Sequence, residues 1–178
     1  SICEKAEHLT IGIGSCNKYN LRNPFNSEES KEMINRFLSP RFSNYSIIFI
    51  PDFAHLSKYS DGKKWKEYII EKYGKLNYFI SGNPYVTALL KDTYNVIHSA
   101  SIISPEKQVV LCASEVRMSM ARFENWKNLI PESVSNYLEQ NKLVDRFRSE
   151  FGLQTLASLV TDRSEETPEL EKLHTCEA

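Results

Sequence analysis

Long apolar runs are missing from this 178-residue chain, and with them any obvious membrane span. The longest, such as Ile47-Ile48-Phe49-Ile50, fall far short of the ~20 apolar residues a spanning helix needs. No signal-peptide pattern opens the chain, so a cytoplasmic, soluble protein is the expectation. An excess of one charge is also missing: 22 Lys and Arg face 23 Asp and Glu, for a formal net charge of -1. That balance gives no broad field for steering nucleic acid or an anionic membrane, and neither is expected as a partner. A small anionic ligand would have to be held by local groups. The four cysteines, Cys3, Cys16, Cys112 and Cys176, form no Cys-x-x-Cys pair and have no histidine at metal-ligand spacing. Reduced, mostly buried thiols and no protein-held metal are expected. There are no internal repeats.

What is present suits a packed domain, with 41% hydrophobic residues and 11% aromatics. A domain over residues 1–154 is expected, followed by a polar, acidic tail over 155–178 that frays or binds a partner. Ile2 to His8 reads as the tail of a helix with no cap before it. Leu9 to Gly14 is short, apolar and β-branched, as a buried parallel strand is. Asn26 caps a helix from about Ser27 to Leu38, with Glu28 and Glu29 in its first turn. Ser46 to Ile50 is the next strand, closed by Pro51. Lys63 to Tyr73 is an amphipathic helix, with Trp65, Tyr68, Ile69 and Tyr73 at three- and four-residue intervals, stopped by Gly74.

Asn77 to Ser81 is a third strand, and Asn83-Pro84 opens a helix with a cap and a first-turn proline. Residues 95–98 and 108–111 are further extended segments, and Ser114 is expected to cap a helix to about Arg122. Pro131 to Gln140 and Asn141 to Phe151 complete a helical C-terminal half. Alternating strands and helices predict an α/β fold, with a parallel sheet flanked by helices on both faces. In such a sheet ligands bind at the carboxyl ends of the strands. Gly14-Ser15, Pro51-Asp52, Ser81-Gly82-Asn83-Pro84 and Ser114 to Arg117 each follow an apolar run, so these four loops are the candidate site.

Ser81-Gly82-Asn83-Pro84, then Ser114-Glu115-Val116-Arg117 leading to Asn125-Trp126 and Leu129-Ile130-Pro131, resemble the archaeal-type nicotinamide-nucleotide adenylyltransferases. These belong to the HxGH nucleotidyltransferase superfamily. Ile11-Gly12-Ile13-Gly14-Ser15 and Asn23-Pro24-Phe25 extend the likeness, which runs from about Ala6 to Phe151. The resemblance implies a Rossmann-like nucleotidyltransferase fold with a helical C-terminal segment. It also implies transfer of AMP from ATP, with Mg²⁺, to nicotinamide mononucleotide, giving NAD and pyrophosphate. Gly14, Ser15, Ser114 and Arg117 would then bind ATP, with Arg117 also catalytic. Asp52, Trp65, Gly82 and Asn83 would hold the acceptor nucleotide.

Some positions depart from the family pattern. Ala54 and Leu56 stand where it has asparagines, Cys112 where it has serine, and Ser30 where it has arginine. The anionic clamp of that arginine is either lost or supplied by the adjacent Lys31. No His-x-Gly-His loop occurs, and none of His8, His55, His98 and His174 stands in for it. The family's first strand would bury about four apolar side chains, worth roughly 6–12 kcal/mol, which rivals a domain's whole stability. The chain is therefore expected to be a fragment of a longer open reading frame that lacks its first strand. A different acceptor, or a noncatalytic nucleotide-binding domain, is the competing expectation. The residues leave oligomeric state open, a homo-oligomer included.

Overall fold

The computed structural model describes residues 2–54, 58, 61–102 and 112–164, with side chains to 158. His55, Leu56, the expected extended segment 108–111 and the chain from 165 onward lie outside the described residues. The described residues fall into two compact units, one built from 2–17 and 44–102, the other from 18–43 and 112–164.

In the first unit, helix α1 (Ile2–Lys5) precedes strand β1 (Leu9–Gly14). β1 pairs in parallel with β2 (Tyr45–Ile50), from Leu9↔Tyr45 to Gly14↔Ile50. Asn44 Nδ2 fastens this pair to the first turn by donating to the carbonyls of Cys3 and Ala6, each at 2.8 Å. Helix α3 (Lys63–Tyr73) lies against β1 and β2. Gly12 makes the close approach possible, because a Cβ there would collide with the Tyr73 hydroxyl and the Ile50 side chain. The Tyr68 hydroxyl donates to the Phe49 carbonyl at 3.3 Å. α3 ends where the sequence places its stop, at Gly74, whose φ of 60° is a left-handed conformation that glycine adopts without strain.

A second parallel pair joins β3 (Phe79–Ile80) to β4 (Val96–Ile97). Helix α4 (Pro84–Leu90) connects them. Ile50, Ile69, Leu90 and Tyr94 form the buried core of this unit. Both pairs are parallel because each partner strand is reached through a helix, as the alternating pattern predicts.

The second unit is helical: α2 (Ser27–Leu38), α5 (Ala113–Ala121), a 3₁₀ turn (Trp126–Leu129), α6 (Glu132–Gln140) and α7 (Leu143–Ser164). α5 packs on α7, and α6 packs on both α2 and α7, around Met120, Trp126, Leu138, Val144 and Phe147. α2 has the expected start: the Asn26 side chain accepts from the Glu29 amide, and the Glu29 carboxylate accepts from the Asn26 amide.

Two sequence readings are corrected here. α5 begins one residue before Ser114, with Cys112 at the cap position, so Ser114 lies inside the first turn. α7 continues past Phe151, where the sequence reading ended it, to Ser164. Thr155 is buried there, its hydroxyl donating to the Phe151 carbonyl, and that bond hides the residue's polarity from a hydropathy pattern. Cys3 and Cys16 are free thiols, as expected.

Candidate functional site

The first unit carries six of the candidate residues at strand ends and on α3. Gly14 is the last residue of β1, and Ser15 turns the chain with a positive φ of 54°. The Cys16 amide then donates to the Ile50 carbonyl at 3.2 Å, so the turn stays against the end of β2. Asn17 completes the join. Its Nδ2 donates to the Asp52 carbonyl at 2.9 Å, while the Asp52 amide donates to its Oδ1 at 2.8 Å. Gly14, Ser15 and Asp52 are thereby brought to one end of the β1–β2 pair. The Asp52 carboxylate accepts from the Ala54 amide at 2.7 Å, which shapes the following turn. Burial pushes the Cys16 thiol up, so this neighbour stays protonated and is a poor nucleophile.

Phe53 continues from that turn onto α3, edge-on to Tyr68 at 5.8 Å and with the Lys64 ammonium 5.3 Å from its ring centre. The neighbouring Trp65 is half-buried and packs against the core of the unit. Gly82 and Asn83 lie at the carboxyl end of β3. Asn83 is the cap of α4: its Oδ1 accepts from the Tyr85 amide at 2.9 Å and its own amide donates to Ser81 Oγ at 3.1 Å. A Cβ at Gly82 would lie 3.2 Å from Ser99 Oγ and 3.8 Å from His98 Nε2. His98 Nδ1 accepts from the Ala100 amide at 3.2 Å, so on a neutral ring the proton is on Nε2, toward the Gly82 turn.

Ser114 and Arg117 both belong to the second unit, three residues apart on α5 and so on neighbouring turns of one face. Ser114 is exposed. Arg117 is half-buried and lines a pocket of about 270 Å³ with Phe25, Met33, Val116 and Met120 as apolar walls. Burial first, and then the like charge of Arg22, holds its guanidinium below the usual arginine value. Arginine remains charged at neutral pH all the same. Among the described residues no carboxylate pairs with Arg117.

Arg22 is the residue that sequence reasoning missed. It lines the same pocket, as does Ser30, whereas Lys31 is turned toward Glu28 at 3.7 Å. The loop that carries it is fixed by Asn20, whose Oδ1 accepts from the amides of Arg22 and Asn23, both at 3.0 Å. A local signal existed: from Asn17 to Ser27 the chain holds Lys18 and Arg22 and no acid. No group of three or more His, Cys, Asp or Glu among the described residues could hold a metal ion. No described helix is long and apolar enough to cross a membrane.

Parallel strand pairs flanked by helices, with candidate residues at their carboxyl ends, define an α/β protein with a Rossmann-like nucleotidyltransferase fold. No family model matches the chain. It is 30% identical over 153 residues to a nicotinamide-nucleotide adenylyltransferase of Thermococcus sibiricus, covering 83% of this chain and 76% of that protein. A protein of the same name from Pyrococcus furiosus is 28% identical over 153 residues, and one from Pyrococcus horikoshii 29% over 152, with the same shares covered. The chain belongs to the nicotinamide-nucleotide adenylyltransferase family.

Proposed function

We propose that this protein transfers AMP from ATP to nicotinamide mononucleotide. A phosphate oxygen of the mononucleotide attacks the α-phosphorus of ATP and forms the new P–O bond. The bond from the α-phosphorus to the bridging oxygen breaks, and pyrophosphate leaves with the electron pair. Reactions of this type depend on positioning and on neutralising the charge of the phosphates, with little covalent chemistry for the protein to perform. Mg²⁺ enters as part of the substrate, on the ATP phosphate oxygens.

The observation that carries this reading is Arg117, half-buried in an apolar pocket beside another cation. Its guanidinium offers a fixed fork of donors for the phosphates that become the leaving group. Ser114, in the first turn of α5, adds a hydroxyl donor for phosphate oxygens. Gly14 and Ser15 would face ATP where β1 ends. Asp52, Gly82, Asn83 and Trp65 would hold the acceptor, the tryptophan by stacking on the nicotinamide ring. A cytoplasmic location suits these small charged substrates.

The test is to incubate the protein with Mg·ATP and nicotinamide mononucleotide and to quantify NAD and pyrophosphate. Equimolar appearance of both supports the proposal. Because the sequence contains no His-x-Gly-His loop, a second reading is nucleotide binding without transfer. It gains if ATP binds and no pyrophosphate is released. Transfer to another phosphorylated acceptor gains if pyrophosphate appears only when that acceptor replaces nicotinamide mononucleotide.

A further inference from the structure

Strands β1 and β2 stop pairing where the candidate residues begin. Their last register partners are Gly14 and Ile50. Beyond them Ser15 turns the chain at a φ of 54°, and the Cys16 amide makes a last backbone bond to the Ile50 carbonyl. Pro51 then has no N–H to donate, so the backbone alone gives the two chain ends little further hold on each other.

The Asn17 side chain takes over past the proline. Its amide acts as the peptide group of a longer strand would: Oδ1 accepts from the Asp52 N–H at 2.8 Å and Nδ2 donates to the Asp52 carbonyl at 2.9 Å. Both bonds go to backbone, which leaves the Asp52 carboxylate to accept from the Ala54 amide. One side chain thereby sets the spacing between the turn at Gly14-Ser15 and the turn at Asp52. Asn17 is itself exposed, and water competes for both of its bonds, so the clasp adds little to global stability. Its effect is local geometry.

We infer that Asn17 is a positioning residue for adenylyl transfer, holding the β1 turn that faces ATP in register with the β2 turn that faces the acceptor. The inference rests on the proposed function and adds to it a residue that acts through Ser15 and Asp52. Attack requires the phosphate oxygen and the α-phosphorus to be aligned at about 3–3.5 Å, so an error in the spacing of the two half-sites falls on kcat. Each half-site keeps its own contacts without the clasp, so the two KM values are spared.

The test is steady-state kinetics with Mg·ATP and nicotinamide mononucleotide, read well below the melting temperature, on the whole protein and its Asn17→Ala, Asn17→Asp and Asn17→Gln variants. Amide hydrogen exchange and thermal denaturation accompany it. Asn17→Ala should lower kcat about 10²-fold, the scale of a 1 Å misplacement, with both KM values within about threefold. Its Asp52 amide should exchange faster, and its melting temperature should stay within about 4 °C of the unaltered protein. Asn17→Asp should recover little, because its second oxygen meets the Asp52 carbonyl with no proton to offer. Asn17→Gln carries the same amide on a longer stem and should recover part of kcat. If Asn17→Ala keeps kcat within about twofold, whatever its melting temperature or KM values, the clasp is structural only. That result overturns the inference and leaves the enzyme standing. If the unaltered protein forms no NAD, the proposed function fails and the inference fails with it.

Discussion

Arg146 and Glu29 form a two-pronged ion pair, Nη1 to Oε1 and Nη2 to Oε2, each at 2.6 Å. It ties α7 to the capping box of α2, and through the Pro24 carbonyl to the loop that carries Arg22. Both partners are largely sheltered from solvent, with 30% of the arginine side chain and 14% of the glutamate accessible. Arg146→Ala strands the carboxylate and should cost about 2–3 kcal/mol of unfolding free energy, read as a lower urea midpoint at constant slope.

The same pair fixes a pH dependence. Burial works to raise the Glu29 carboxyl, but the hydrogen bonds from Arg146 and the Asn26 amide outweigh it and hold the group below its ordinary value of 4.5. A carboxyl depressed in the folded state contributes stability that is present above 4.5 and is lost as pH falls through the folded value. Glu29→Gln can keep the cap but not the ion pair. Its melting temperature should therefore fall less between roughly pH 5 and pH 3 than that of the unaltered protein. Parallel acid limbs in the two proteins would refute the linkage.

Gly12 and Gly14 lie on one strand and differ in what surrounds them. A Cβ at position 12 meets Tyr73 and Ile50, whereas one at position 14 meets nothing within 4 Å. Gly12→Ala should lose about 1–3 kcal/mol in chemical denaturation. Gly14→Ala should stay within about 0.5 kcal/mol, since it meets open space. If Gly14 faces ATP as proposed, the same alanine should raise the KM for ATP while stability holds.

Much of this was legible in the residues. Met33, Ile34, Phe37 and Leu38 at helical spacing, with Asn26 and Glu29 as a cap, mark α2 from Ser27 to Leu38 as found. Gly74 marks the end of α3, and Asn83-Pro84 the start of α4. α5 was mis-started because serine is a better cap than cysteine, yet Glu115 receives the Cys112 amide at 3.3 Å and sets the boundary one residue earlier. Arg22 and its pocket could not be read from periodicity. They arise where the loop before α2 meets α5, far apart in sequence, and no helical or strand repeat encodes that meeting. The clasp between Asn17 and Asp52 was hidden for the same reason, spanning 35 residues.

Asn83 has two duties that a pair of substitutions can separate. Asn83→Ala removes the bond to the Tyr85 amide and should cost about 1 kcal/mol, measured by thermal denaturation. Asn83→Asp keeps a capping oxygen and should retain stability. If Asn83 Nδ2 donates to the acceptor nucleotide, the aspartate variant should still raise the KM for nicotinamide mononucleotide, and an unchanged KM would confine Asn83 to its cap.

Arg117 is placed to act on charge that develops as pyrophosphate leaves. Arg117→Gln should lower kcat by about 10²–10³, the scale of losing one preorganised donor in a transition state. The folded protein should not be weakened in parallel, because the change removes a half-buried cation held beside another. A variant with full kcat and a lower melting temperature would make Arg117 structural only.

The most direct measurement follows ATP labelled at the α-phosphorus through reaction with nicotinamide mononucleotide and Mg²⁺, with products resolved by chromatography. The expected result is label in NAD, unlabelled pyrophosphate in equal amount, and no labelled AMP. Label that remains in ATP, or that appears in free AMP or in a product formed without nicotinamide mononucleotide, would contradict adenylyl transfer to this acceptor.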